Sequence, residues 1–417
     1  MTNRYTSCGV GLLVCFFATA AARAADDFAI RDGDTVVFLG DSITAERTYG
    51  KIIETYTLLR FPQRKVHFVN SGWGGDTAAG GLARLQRDVF DKGATVVTVA
   101  YGINDIGWGT KADAEHRQKY LDSVRGIVEQ CKARGVRVFI CSAAVTATDP
   151  DKSENEFLQQ MCDEGMKVST SLGGGAIDVQ RTMRQVQRRI KAANANVTDE
   201  KKKETLHAPD GVHLNELGQT AMAYAILKGL GAPRDVSSVT VDAAAGKVAE
   251  TTGCTITDLA VDQDSVRFTR LDEGLPLNFG LFGALRYRFI PMHDEMNRYL
   301  LAVKGLPAGK YEVMASERKV GTYSAEQLAA GVNLASATAD PWQPGGPWEA
   351  QAWLVNPLTD ARNKAVEPEK FSADYLAQHP NLEAIAKQTA GVNAAIEALQ
   401  RETAKPVPYS FVIRRAP

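Results

Sequence analysis

Ser42 stands in the run Leu39-Gly40-Asp41-Ser42-Ile43, directly after a short apolar stretch. A serine hydroxyl is a poor nucleophile at its own pKa and needs an oriented base to take its proton. Such a base lies far downstream, where Asp210-Gly211-Val212-His213 sets a carboxylate and an imidazole three residues apart. At that spacing the carboxylate can hold one ring nitrogen while the other faces outward. Between these ends lie Asn70-Ser71-Gly72-Trp73-Gly74-Gly75-Asp76-Thr77 and Tyr101-Gly102-Ile103-Asn104-Asp105. A backbone N–H at a glycine and the side-chain amide of an asparagine are both donors suited to an oxyanion. Taken singly, each residue also has a purely structural use: Ser42 as a helix N-cap, a glycine as a positive-φ turn, Asn104 as a turn former. Asp41, Asp76 and Asp105 are expected to brace these loops through backbone N–H groups rather than to act in the chemistry.

The elements that must carry these residues alternate. Residues 35–39, 66–69, 95–100 and 136–140 are short runs rich in β-branched and apolar side chains, as buried parallel strands are. Helical patterns fall at 49–59, 78–90, 113–133, 154–171 and 215–230. A β-α-β-α order makes a parallel sheet covered by helices on both faces, with ligands bound at the carboxyl ends of the strands. Ser42, Asn70–Thr77 and Tyr101–Asp105 all follow strands directly. After Pro233 the pattern changes to short strand-like runs at 239–241, 265–269, 299–303, 311–315, 319–323 and 409–413, separated by Gly, Pro and charged turns. A helical pattern rich in Lys and Glu precedes the last of them.

The four blocks resemble those of the SGNH/GDSL hydrolases: Gly-Asp-Ser at 40–42, Gly-Gly-Asp-Thr at 74–77, Gly-Ile-Asn-Asp at 102–105 and Asp-Gly-Val-His at 210–213. The resemblance covers about half of the chain, and Ile43 replaces the family's usual Leu. It implies an α/β fold, a three-layer α/β/α flavodoxin-like domain with a parallel sheet, followed here by a smaller β-rich C-terminal domain. It also implies that Ser42 is the nucleophile, His213 the general base and then acid, and Asp210 the residue that orients His213. The oxyanion hole would consist of the Ser42 N–H, the Gly75 N–H and the Asn104 side chain. No metal and no organic cofactor is expected.

Rival motifs fail. Gly40-Asp41-Ser42-Ile43-Thr44 lacks the second Gly of a nucleophile elbow. Gly72–Thr77 approaches a dinucleotide fingerprint but ends in Thr and follows the second strand. Asp149, Asp151, Ser153 and Asn155 mimic calcium-loop spacing, yet Glu154 stands where the turn Gly belongs and Gln160 where the bidentate Glu belongs.

Residues 1–24 read as a secretory signal peptide, with Arg4, an apolar run from Val10 to Ala22 and a small-x-small cleavage site at Ala22-Arg23-Ala24. The expected division is then 25–233 for the hydrolase domain and 234–417 for a β-rich region with a helical segment. Export to the periplasm or the exterior follows from that reading. With 48 Lys and Arg against 49 Asp and Glu, the net charge of −1 gives no grip on phosphate backbones, so nucleic acid is excluded as a partner. Removal of Arg4 and Arg23 makes the balance −3. Four cysteines remain after cleavage (Cys131, Cys141, Cys162, Cys254), with no C-x-x-C pair, and buried free thiols are expected over a single disulfide.

Trp73 and Trp108 lie in or beside the oxyanion blocks and are candidate substrate-binding residues, able to stack on a sugar or wall off a small acyl pocket. Trp342, Trp348 and Trp353, in the second unit, are expected to pack its core. The reading that fits these features is a secreted serine esterase releasing small acyl groups, acetyl foremost, from an acylated small molecule or polysaccharide. Stable membrane insertion is not expected. The alternatives are a lipid or lysophospholipid esterase or acyltransferase on the same site, or a glycan-binding protein with an inert triad.

Overall fold

The computed structural model describes residues 27–280, 283–340, 342–343, 345–367 and 380–417. The expected signal peptide and its cleavage site lie outside the described residues. Five strands form the first sheet: β1 (Thr35–Gly40), β2 (His67–Gly72), β3 (Val96–Ala100), β4 (Arg137–Cys141) and β5 (Gly175–Ile177). Their order is β2-β1-β3-β4-β5 and every pairing is parallel. Successive β1 side chains enter different cores. Val36 and Phe38 pack with α2 (Thr48–Arg60), α6 (Val179–Asn194) and α7 (Glu216–Gly229), while Val37 and Leu39 face α3 (Ala78–Ala83), α4 (Ala114–Ala133) and α5 (Phe157–Ser171). This is the expected α/β sandwich with buried strands. Its strand order reverses between β1 and β3, the point at which such sheets open a crevice at their carboxyl ends.

α1 (Ser42–Ala45) is a single turn between β1 and α2, so the long helix expected near residue 49 does not follow Ser42 directly. α6 and β5 fall where no element was expected. The α6 apolar residues Val179, Met183, Val186 and Ile190 are all buried at helical spacing.

The second unit has two sheets. β6 (Asp235–Asp242), β7 (Lys247–Thr252), β10 (Arg298–Lys304) and β13 (Val332–Asn333) are ordered β13-β10-β6-β7. β8 (Cys254–Val261), β9 (Ser265–Asp272), β11 (Lys310–Ala315), β12 (Arg318–Ser324) and β14 (Tyr409–Arg415) are ordered β12-β11-β14-β9-β8. Their inward side chains share a core around Trp348, whose ring stacks on Phe411 at 5.7 Å and meets Tyr299 at 4.8 Å. The packing expected of the three tryptophans applies to Trp348 alone, because Trp342 is 71% exposed and Trp353 is also at the surface. Two short helices, α8 (Met292–Met296) and α9 (Ala325–Ala330), connect strands.

Two long helices, α10 (Pro347–Val366) and α11 (Leu382–Ala404), leave the sandwich and cover α2. The contact is polar and buried. Arg362 makes a two-pronged bond to Glu54 (2.6 and 2.5 Å), and Asn363 and Gln400 add their amides to the same carboxylate (3.0 and 2.9 Å). A buried pair of this kind holds only when every charge is matched. Arg362 also donates to the Phe68 carbonyl of β2 at 3.1 Å. The helices that follow the β-rich segments therefore belong mechanically to the first unit.

Candidate active site

The site begins where β1 ends. A Cβ on Gly40 would lie 2.1 Å from Thr44 Oγ1 and 2.9 Å from the Ala100 carbonyl, so only glycine lets the chain turn straight from β1 into α1. Asp41 caps that turn, its Oδ1 accepting the Ile43 N–H at 3.0 Å, and Ser42 becomes the first helical residue. Burial pushes the Asp41 carboxyl up to about 7.

Ser42 Oγ and His213 Nε2 are 2.8 Å apart, and His213 Nδ1 is 2.6 Å from Asp210 Oδ2. A carboxylate can only accept, so Nδ1 carries the ring proton and Nε2 is left to accept the Ser42 hydroxyl. Asp210 Oδ1 accepts the backbone N–H groups of Val212 and His213, both at 2.9 Å. The Val212 bond and the imidazole beside it hold Asp210 down at about 2, so it is ionised throughout the working range. The loop itself is fixed by the bridge between His207 and Leu214 and by the buried His207, whose Nε2 donates to the Val145 carbonyl at 3.0 Å. Burial lowers the His207 pKa, in keeping with a neutral ring. Sequence reasoning passed over His207, which stands inside no motif.

The two donor blocks leave neighbouring strands, Gly40 being in register with Gly72 on one side and Ala100 on the other. Gly75 has φ +74° with open space where a Cβ would point, so its backbone angle is what calls for glycine. Trp108 donates its indole N–H to Asn104 Oδ1 at 2.9 Å, and Asn104 Nδ2 donates to the Asp76 carbonyl at 3.0 Å. An indole N–H only donates, which assigns the amide orientation and leaves the second Nδ2 hydrogen for a guest. The three aspartates brace the loops as expected: Asp41 bonds Ile43 N–H, Asp76 bonds Thr77 N–H at 2.9 Å, and Asp105 bonds Ala78 N–H at 3.0 Å. Burial raises Asp105 to about 6.

Residues 38–221 match the GDSL-like Lipase/Acylhydrolase family. Over that span the first unit is similar to GDSL-like acylhydrolases. A gut microbial diltiazem-metabolizing enzyme, BT4096, shares the architecture of both units at TM-score 0.79, with 23% identity over 93% of this chain and 98% of its own. The hydrolase LAE5 from the Lake Arreo metagenome aligns at TM-score 0.41 and 22% identity, over 49% of this chain and 98% of its own. The acetylxylan esterase Axe2 of Geobacillus stearothermophilus aligns at TM-score 0.41 and 20% identity, over 49% of this chain and 96% of its own. No curated protein sequence matches the chain.

The two candidate tryptophans of the first unit occupy different places. Trp108 is 48% exposed and makes a T-shaped contact with His213, centroids 5.6 Å apart and planes at 68°. It has φ +58° between Gly107 and Gly109, both also at positive φ, a conformation a bulky residue holds only when its surroundings demand it. Trp73 lines a cavity of about 470 Å³ beside the site, together with Asn70 and Arg47 of the first unit and Arg362, Asn393 and Glu397 of the covering helices. Ser42 and His213 are not in its lining, so the cavity flanks the reactive pair rather than containing it. The partial calcium-loop pattern is occupied by a cation of the chain itself, since Lys191 Nζ lies 2.7 Å from Asp149 and 2.6 Å from Asp151. Among the described residues no group of three or more His, Cys, Asp or Glu side chains is placed to hold a metal. None of the helices among the described residues is long and apolar enough to cross a membrane.

Proposed function

We propose that this protein is an exported serine esterase that removes small acyl groups, acetyl foremost, from a carbohydrate or a comparably polar alcohol. The observation that carries the reading is the chain of contacts from Ser42 Oγ through His213 to Asp210, at 2.8 and 2.6 Å. In the first half-reaction Ser42 Oγ attacks the ester carbonyl while Nε2 of His213 takes its proton. The tetrahedral oxyanion is met by the N–H groups of Ser42 and Gly75 and by the free Nδ2 hydrogen of Asn104. His213 then returns its proton to the leaving alcohol. In the second half-reaction His213 takes a proton from water as its oxygen adds to the acyl-enzyme carbonyl, and on collapse His213 returns that proton to Ser42 Oγ as the acid is released.

Support for a polar alcohol comes from the surface around the triad. Trp108 offers an exposed aromatic edge beside His213. Aromatic faces at a wet site suit sugars, whose C–H faces pack on rings while their hydroxyls stay hydrated. The test is acetate release from a panel of acetylated polysaccharides, an aryl acetate and diltiazem, the last because BT4096 metabolises it. Wild type is compared with Ser42→Ala. Ser42-dependent release from one glycan supports the reading, and preference for detergent-dispersed lipid esters or transfer to a glycan hydroxyl replaces it.

A further inference from the structure

Behind the three catalytic loops lies a guanidinium that none of the motifs contains. Arg84 caps the end of α3, and its side chain is 12% exposed. All five of its N–H donors are used. Nε donates to Asp76 Oδ2 at 2.9 Å, Nη1 to the Ser71 carbonyl at 2.8 Å and Asp88 Oδ2 at 2.7 Å, and Nη2 to the Gly40 carbonyl at 3.1 Å and the Tyr101 hydroxyl at 2.8 Å. The Tyr101 hydroxyl donates in turn to Asp76 Oδ2 at 3.0 Å.

Four of these partners lie at or just beyond the carboxyl ends of β1, β2 and β3, and the fifth, Asp88, lies in the helical turn that follows α3. Gly40 precedes Asp41-Ser42, Ser71 precedes the Gly75 turn, Asp76 follows it, and Tyr101 opens the loop that ends in Asn104. Asp76 also accepts the Asn104 amide through its carbonyl, so the link reaches the oxyanion donor itself. The helix is shaped to admit the cluster. A Cβ on Gly80 would lie 1.8 Å from Asp76 Oδ1, and one on Gly81 2.6 Å from the Tyr101 ring and hydroxyl.

We infer that Arg84 is the positioning residue of the oxyanion hole, a single planar fork that fixes the spacing of the loops carrying Ser42, Gly75 and Asn104. The inference rests on the esterase reading. None of its bonds is to Ser42, His213 or Asn104 directly, so it acts through the backbone of Gly40 and Ser71 and the side chains of Asp76, Asp88 and Tyr101. An oxyanion hole works because its donors are fixed before charge develops, and small displacements forfeit much of that gain. Lysine cannot replace the fork, since an ammonium has three donors and no plane.

The experiment compares Arg84→Lys and Arg84→Ala with wild type on an aryl acetate, with folding checked by circular dichroism and kcat referred to active sites titrated to completion with a fluorophosphonate. The expected result is a fall in kcat of about tenfold to a hundredfold with KM within about twofold, because the loss falls on the transition state. Millimolar guanidinium should restore part of the activity of Arg84→Ala, and methylammonium should not. A folded Arg84→Lys enzyme with wild-type kcat per titrated site would overturn the role. Should both variants fail to fold, Tyr101→Phe keeps the charges and removes one spoke, and a severalfold drop in kcat is expected where an unchanged value would overturn it. Wild type without Ser42-dependent hydrolysis would instead remove the esterase reading, and this role with it.

Discussion

The indole N–H of Trp108 lies 2.9 Å from Oδ1 of Asn104, and the same ring meets the His213 imidazole in a T-shaped contact. One exposed side chain thus touches both the imidazole and the amide that the proposed mechanism uses. It also explains why so bulky a residue sits at φ +58° between two glycines: the loop is turned to aim the indole inward.

Replacing Asn104 by Ala should lower kcat by about 10²–10³ with little change in KM, the signature of an oxyanion donor. Trp108→Phe keeps the ring but loses the N–H. The amide is then free to rotate, and kcat should fall by about tenfold, the scale of one neutral hydrogen bond. Steady-state kinetics on an aryl acetate separates the two, and a rise in KM alone for Asn104→Ala would contradict the assignment.

Asp210→Asn should cost roughly 10⁴ in kcat while the thermal midpoint stays near that of wild type, since an amide facing Nδ1 favours the wrong tautomer. Asp210 is held at about 2, so its charge is constant above about pH 4. Any loss of wild-type activity on acidification from pH 8 to 5 must come from another group. A pH–rate profile of the wild type checks this.

Asp41 predicts an unusual pH trend in stability. In the unfolded chain its carboxyl ionises at the ordinary value near 3.8, while in the fold burial delays ionisation to about 7. Between these values the folded state binds more protons, so this group makes the fold less stable as pH rises, and the penalty is complete above about 7. Asp41→Asn retains an acceptor for the Ile43 N–H and escapes the penalty. Its melting temperature relative to wild type should therefore climb from pH 4.5 to 8, by the equivalent of about 3 kcal/mol. A constant difference across that range would show that Asp41 does not titrate as stated.

Breaking the buried pair between α2 and the covering helices should be severe. Arg362→Ala leaves Glu54 unpaired beside Gln400 and Asn363, at a cost of about 3–5 kcal/mol. Removing both charges, as Glu54→Leu with Arg362→Met, should cost less than the single change. Urea unfolding of the three proteins checks the order.

Cys131, Cys141, Cys162 and Cys254 are all buried and unpaired, and burial raises each thiol well above its usual range. Peptide mapping after treatment with iodoacetamide should find none of the four alkylated in the native protein and all four after denaturation. Recovery of a linked pair of peptides would refute this.

The α/β domain was legible because its strands are buried on both faces and so appear as continuous apolar runs, and because Ser42, Asn104 and His213 sit in short local blocks. β5 was hidden by its length and by the glycines before it, which carry no periodic signal. β7 and β8 were hidden because residues such as Thr251, Thr255 and Asp258 leave them largely solvent-facing, with little alternation to read. α6 was readable in principle from Val179, Met183, Val186 and Ile190, and its dense arginines masked the stripe. Arg84 and His207 could not be found from local pattern, since their meaning lies in carbonyls brought together only by the fold.

β14 lies in the middle of its sheet, between β9 and β11, although its residues come last in the sequence of the sandwich. That placement sets an order of assembly. The strands of the α/β sheet can pair as they emerge from the ribosome, whereas the sandwich must hold a central gap open until residues 409–415 arrive. Such long-range pairing is slow and leaves unpaired strand edges exposed. Glu54 likewise has no partner until Arg362 and then Gln400 have been made, so the domain that carries Ser42 also waits on residues far downstream of it.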